Sequence, residues 1–185
     1  MVLLESLSIP LGTKFSDFSL KDPMGKLYKG SEQFGQAGLL IIFTCNHCPY
    51  ALAVWPRVIR LAEYAKTLNI NTLAINPNIN PAYPDDSPAN MVKKIKEWKI
   101  PFPYLVDEAQ DAAKSFKAQC TPDIYLFDKN KNLAYHGRID DNWQDEKKVT
   151  KKELKNALTN MAAGRAIDSP QRPSMGCSIK WLNES

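Results

Sequence analysis

Two of the chain's four cysteines, Cys45 and Cys48, stand two residues apart in the run FTCNHCPY (43–50), with Asn46 and His47 between them. Such a pair can carry thiol–disulfide exchange: one thiolate attacks a disulfide, and the neighbouring thiol then closes an internal disulfide and releases the product. The same spacing, with an imidazole inside it, also offers sulfur and nitrogen to a soft metal. The bland alternative is a pair of buried cysteines beside a surface histidine. Residue types alone leave these readings open, so the elements that hold the pair must decide.

GLLIIF (38–43) is a continuous apolar, β-branched run, as expected of a central strand covered on both faces. After the cysteines, Leu52, Trp55, Val58, Ile59, Ala62 and Ala65 recur at helical spacing. The pair therefore sits where a buried strand ends and a helix begins. Unpaired N–H groups and the helix dipole at that junction favour an anion, which lowers a thiol's pKa. Cys45, at the mouth, is the expected nucleophile. Cys48, one turn further in, is the expected resolving thiol, and a protonated His47 would lower the thiol pKa further.

Around this junction, residues 14–30 predict a hairpin turning near Gly25, and NINTLAIN (69–76) a second buried strand. Ser87 and Pro88 open a helix with Met91, Ile95 and Trp98 on its apolar stripe. A short strand (101–107), a short helix (108–119) and a hairpin turning at Lys129 to Asn132 follow. Thr150 and Glu153 suggest a capping box for a last helix that stops at Gly164. The order predicts one α/β domain over 1–185: a mixed central sheet flanked by helices, an N-terminal hairpin extension (1–35) and an irregular C-terminal tail (165–185).

The bulk properties narrow the function. With 44% hydrophobic and 24% charged residues and a net charge of +4, the chain reads as an ordinary globular domain. Its lysine runs, 93–99 and 146–155, are interrupted by Glu97, Glu146 and Glu153, which suits solvated helix faces and not a nucleic-acid surface. No apolar run approaches the ~20 residues of a membrane span. The N-terminus lacks the pattern of a signal peptide, so the expected location is cytoplasmic, where close cysteine pairs are more often catalytic or metal-binding than structural. With no Gly-rich nucleotide loop, no cofactor is assigned, and electrons are expected from an external thiol system.

A second motif sharpens the reading. In QCTPDIYLFD (119–128), Thr121-Pro122 stands immediately before an apolar strand. At this point in the order of elements the sequence resembles the thioredoxin superfamily, whose cis-proline faces the Cys-x-x-Cys. The resemblance implies a thioredoxin-like fold, a cis Thr121–Pro122 bond, and a backbone edge at Thr121 open to an incoming peptide or thiol ligand. FSDFSLKDPMGKLY looks like the opening of the peroxiredoxin-like (redoxin, AhpC/TSA-type) branch. CNHCP (45–49), CTPD (120–123), YHGRIDD (135–141) and GCSIKW (176–181) are similar to motifs of small bacterial members of that branch, over residues 10 to 182. It implies a thiol–disulfide oxidoreductase or antioxidant protein acting on protein or small thiols and disulfides, reduced by a thioredoxin or glutathione system.

Departures qualify the resemblance. Peroxiredoxins place a proline seven residues, and Thr or Ser three residues, before the peroxidatic cysteine; here those positions are Gly38 and Ile42, and Pro122 takes the place of their arginine. Ile42 has no hydroxyl to hold a peroxide, so dithiol exchange is expected over fast peroxidase activity. Pro56 lies within the active-site helix, and Thr44 replaces the thioredoxin tryptophan. Cys120 is expected near the pair as a redox thiol, ligand or small buried cysteine, and Cys177 as a further redox thiol folded back from the tail or a structural residue. A rival reading comes from resemblance to the Sco-type copper-binding members, with Cys45, Cys48 and His136 as ligands. Those members separate their cysteines by three residues and are membrane-tethered, so no metal is assigned.

Overall fold

The computed structural model describes residues 2–168 and 170–182. Its centre is β4, Gly38–Phe43, in which all six residues are buried. An apolar run without polar alternation settles as a strand only where both faces are covered. β4 pairs in parallel with β5 (Ile70–Asn76) and antiparallel with β8 (Asp123–Asp128). β6 (Tyr104–Val106) lies parallel beside β5, and β9 (Leu133–His136) antiparallel beside β8. The N-terminal hairpin of β2 (Ser19–Lys21) and β3 (Leu27–Lys29) joins the same sheet through β6, giving the order β3-β2-β6-β5-β4-β8-β9.

Side chains alternate across β4 and divide the core. Leu40 and Ile42 face α1 (Pro49–Thr67), α2 (Pro88–Trp98) and α4 (Glu153–Ala162), packing with Val54, Val58, Met91 and Leu158. Leu39, Ile41 and Phe43 face the opposite layer, with the short α3 (Asp111–Ser115) and an aromatic cluster. There Phe15 meets Phe116 and Phe127 edge-on, with ring centroids 5.7 and 5.3 Å apart. Such T-shaped contacts suit the quadrupoles of the rings and interlock the hairpin with the sheet.

Local signals hold where no tertiary partner competes. Ser87 caps α2, its hydroxyl accepting the Asn90 N–H at 3.4 Å, and Gly164 ends α4 with φ +67°. The Thr150–Glu153 capping box does not form, and Lys152 is the residue before α4. The Thr150 hydroxyl instead donates to Asp141, and Glu153 accepts from Arg138 at 2.6 Å. Charge-assisted bonds are stronger than a neutral cap. Leu52, expected on the buried stripe of α1, is 37% exposed, while Ala51 and Val54 are buried in its stead.

The tail departs most from expectation. Residues Met175–Ser178 form β10, inserted between β1 (Leu3–Glu5) and β7 (Cys120–Thr121) in a three-stranded sheet. Further bonds pin it: Ile179 N–H to Gln119 O at 3.1 Å and Lys180 N–H to Asn78 Oδ1 at 2.9 Å. Strands this short leave no period in a sequence, and their partners are remote. The fit against β7 needs glycine, because a Cβ on Gly176 would lie 2.0 Å from the Thr121 carbonyl oxygen. Gly176→Ala should therefore lower stability by roughly 1–3 kcal/mol through overpacking. Urea denaturation checks this as a lower midpoint at unchanged slope, and an unchanged midpoint would show that β10 is not held this closely.

Candidate active site

The site forms where β4 ends and α1 begins. Thr44 bonds back to β5 through its N–H to Ile75 O at 2.9 Å, and the chain then turns through Cys45–Cys48. The indole of Trp55, one of the largest side chains in the core, donates to the Cys45 carbonyl at 3.1 Å and fixes the turn from the helix side. α1 starts at Pro49, so the residue at its N-cap is Cys48; Cys45 lies further back. Proline suits this first turn because its missing N–H has no intrahelical partner to lose.

Thr121–Pro122 is cis, as the resemblance implied, and brings Thr121 against both sulfurs. The Thr121 hydroxyl lies 3.2 Å from Cys45 Sγ, and as a thiol Cys48 donates to the Thr121 carbonyl at 3.3 Å. A hydroxyl beside Cys45 therefore comes from across the site, and not from position 42, where Ile42 is buried in the core. The backbone edge expected to be open is occupied: Cys177 on β10 is registered opposite Thr121 on β7. This places Cys177 in one packed cluster with Cys45, Cys48 and Ala51. Cys120 is outside that cluster, and its sulfur lies 3.7 Å from the Pro122 carbonyl oxygen.

The proton balance among these thiols is uneven. Cys48 is held down to about 5, first by the hydrogen bond from Cys45, and further by the Cys177 thiol and the N–H groups of Ala51 and Cys177, against burial. Cys45 is pushed up by burial, by its hydrogen bond to Cys48 and by the charges of Asp86 and Cys48. Cys177 is raised to about 12 by burial and by its bond to Cys48, and burial likewise raises Cys120. The surroundings therefore favour the anionic form at Cys48, beside the Ala51 N–H at the start of α1 and the Cys177 N–H on β10.

Sequence reasoning missed a second, polar wall. The turn Pro84–Asp86 follows β5 and packs Asp86, fully buried, against the Cys-x-x-Cys turn. Asp86 Oδ1 accepts the Asn46 N–H at 2.6 Å and Asn76 Nδ2 at 3.2 Å, while Oδ2 bonds His47 Nδ1. Tyr104 donates to Asn46 Oδ1 at 3.1 Å, and Tyr83 stacks on the His47 ring with centroids 5.2 Å apart. The available signal was position: Asp86 follows the carboxyl end of a buried parallel strand, the end at which open α/β sheets form their sites. His136, the third ligand of the rival metal reading, is instead buried on β9 with Nε2 3.0 Å from Asp123 Oδ1. It is not among the residues whose ligand atoms converge at the cysteines.

Beside Pro122 a cleft of about 420 Å³ opens, lined in part by Glu5, Arg138, Trp143 and Arg172. Trp143 also packs on Tyr50 in the first turn of α1, ring centroids 4.0 Å apart. Among the described residues, no helix is long and apolar enough to cross a membrane.

No curated protein matches the chain. Among solved structures, an uncharacterized conserved protein from Geobacillus kaustophilus is 38% identical, with a TM-score of 0.94 over 100% of this chain and 99% of that one. A hypothetical protein from Sinorhizobium meliloti 1021 is 34% identical, with a TM-score of 0.91 over 97% of this chain and 99% of that one. A thiol:disulfide interchange protein described as DsbE, from Chlorobium tepidum, is 16% identical, with a TM-score of 0.63 over 85% and 98%, a likeness of fold alone. The fold is thus the thioredoxin-like one, with a mixed sheet flanked by helices. The model of the AhpC/TSA family matches residues 11–136, more than half of the sequence, and the chain belongs to that family.

Proposed function

We propose that this protein is a thiol–disulfide oxidoreductase working through Cys45 and Cys48, with Cys48 as the attacking sulfur. The observation that carries the reading is the arrangement of two hydrogen-bonded thiols at a strand-to-helix junction, with N–H donors converging on Cys48 and Thr121 bridging both sulfurs. The Cys48 thiolate attacks a substrate disulfide, forming a mixed disulfide and expelling one substrate thiolate. Cys45 gives up its proton and attacks the Cys48 sulfur, closing the Cys45–Cys48 disulfide and expelling the second thiolate. Two protons then complete the substrate thiols. An external dithiol or glutathione-type reductant returns two electrons and one proton to the protein, restoring the Cys48 thiolate and the Cys45 thiol. Thr121 orients both sulfurs, Pro122 shapes the cleft beside them, and Cys177 is a third thiol within reach of Cys48.

Burial narrows the substrate. Both active sulfurs are fully buried, and β10 lies on the edge where an extended peptide would pair. A small disulfide reaching the site by the cleft beside Pro122 displaces less structure than a protein partner, which requires β10 to leave. The expected order is faster reduction of hydroxyethyl disulfide than of the insulin disulfides at equal concentration. The opposite order would point to a protein substrate.

Thiol trapping after mild oxidation tests the dithiol itself. Mass mapping should find a Cys45–Cys48 disulfide that is reversed by dithiothreitol and missing in Cys48→Ser. If neither cysteine oxidises reversibly, the proposal fails.

The AhpC/TSA family raises peroxide as an alternative oxidant. Ile42 in the position of the peroxide-holding hydroxyl supports slow peroxidase chemistry. Stopped-flow mixing with hydrogen peroxide should consume it no faster than a free thiol does. Consumption faster by two orders of magnitude or more would make this a peroxidase.

A further inference from the structure

We propose that the reduced protein binds one divalent transition-metal ion of the zinc class between Cys45, His47 and Asp86. One ligand atom from each of these residues lies within 4.8 Å of the others. The set crosses two separate segments, the Cys-x-x-Cys turn and the Pro84–Asp86 turn, so the fold and not the local sequence assembles it. It does not use His136 and does not rest on disulfide exchange.

The buried acidic group at this site can accommodate a cation. Asp86 is fully buried, and among the described residues its ion-pair partner is His47, with no lysine or arginine on it. A carboxylate in such surroundings is costly unless it is paired or coordinates a metal. Beside it stands the fully buried sulfur of Cys45, a second group whose anionic form needs a compensating charge. His47 is only 10% exposed, and the ring nitrogen it turns toward Asp86, Nδ1, is the one that would ligate. Imidazole, thiolate and carboxylate together form the ligand mixture that zinc accepts.

The surroundings already resemble a second layer of support. Asn46 N–H and Asn76 Nδ2 hold Asp86 Oδ1, which leaves Oδ2 directed at the histidine. Tyr83 holds the plane of the imidazole by stacking. Outer contacts of this kind orient metal ligands, and losing them typically weakens binding ~10–100-fold. The direct His47–Asp86 bond is the contact the ion would replace. Entry of the ion releases the Cys45 proton to solvent, because the thiolate is the ligand. Disulfide formation consumes the same sulfur, so the oxidised protein loses a ligand and the ion with it.

Cobalt(II) serves as the spectroscopic probe. Metal-free, reduced, full-length protein titrated without oxygen should take up one equivalent, developing a thiolate-to-cobalt charge-transfer band in the near ultraviolet. Zinc(II) should displace it and shield Cys45 from N-ethylmaleimide, and the disulfide form should bind neither ion at the same concentrations. His47→Ala and Asp86→Asn should each weaken binding at least tenfold, with circular dichroism confirming the fold. The proposal is overturned if no cobalt binds, if it binds without the thiolate band, or if the oxidised protein binds equally. Affinity unchanged in both folded variants would also overturn it. Disulfide trapping in the metal-free sample reports separately on exchange, so either reading can fail without the other.

Discussion

Thr121 touches the chemistry in three ways at once. Its hydroxyl lies on Cys45, its carbonyl on Cys48, and its backbone is registered against Cys177. One residue thus sets the relation between the helix that carries the dithiol and the tail that covers it. This works because the cis peptide at Thr121–Pro122 sits between β7, which belongs to the small sheet, and β8, which pairs along the whole length of β4. The large sheet fixes Thr121 from one side and the small sheet from the other. Gly176 permits the approach, since any side chain there would collide with the Thr121 carbonyl.

A buried, polar centre of this kind has to manage charge without water. Four cysteines and Asp86 are all shielded from solvent, and the buried cation of Arg57 is spent elsewhere, on Asp140 at 2.6 Å and the Asn142 carbonyl at 2.7 Å. The Cys45 thiol, the Cys177 thiol and the N–H groups of Ala51 and Cys177 favour the anionic form at Cys48. Every other thiol is pushed toward its neutral form, chiefly by burial. The Arg57 contacts have a second consequence: they tie the middle of α1 to the segment after β9, while Trp143 packs on Tyr50 at its start. The helix that presents the dithiol is held at both places.

Much of this was legible from residue order. The apolar run 38–43 and the helical spacing after Cys48 place the cysteines at a strand-to-helix junction, and the resemblance to the thioredoxin superfamily implied that Pro122 faces them. Ser87 and Gly164 act as their types predict, because their partners are their own backbone neighbours. Thr150 and Glu153 do not, because Asp141 and Arg138 reach them from other segments and bind more strongly. Leu52 shows a finer limit: the spacing identified a buried stripe on α1, but which neighbour faces inward depends on how the helix is rotated against the sheet.

The sequence by itself determined the central sheet and the strand-to-helix junction that carries Cys45 and Cys48, because each is encoded in periodicity or in a contiguous motif. Tertiary structure alone decided the surroundings of Cys48, since the Cys45 and Cys177 thiols and the N–H groups of Ala51 and Cys177 meet there from separate segments. It alone brought Asp86 to His47 across 39 residues and laid Cys177 over the pair. Such contacts join segments far apart in the chain, and no local pattern records them: their energy comes from burial and pairing that exist only once the sheets have closed.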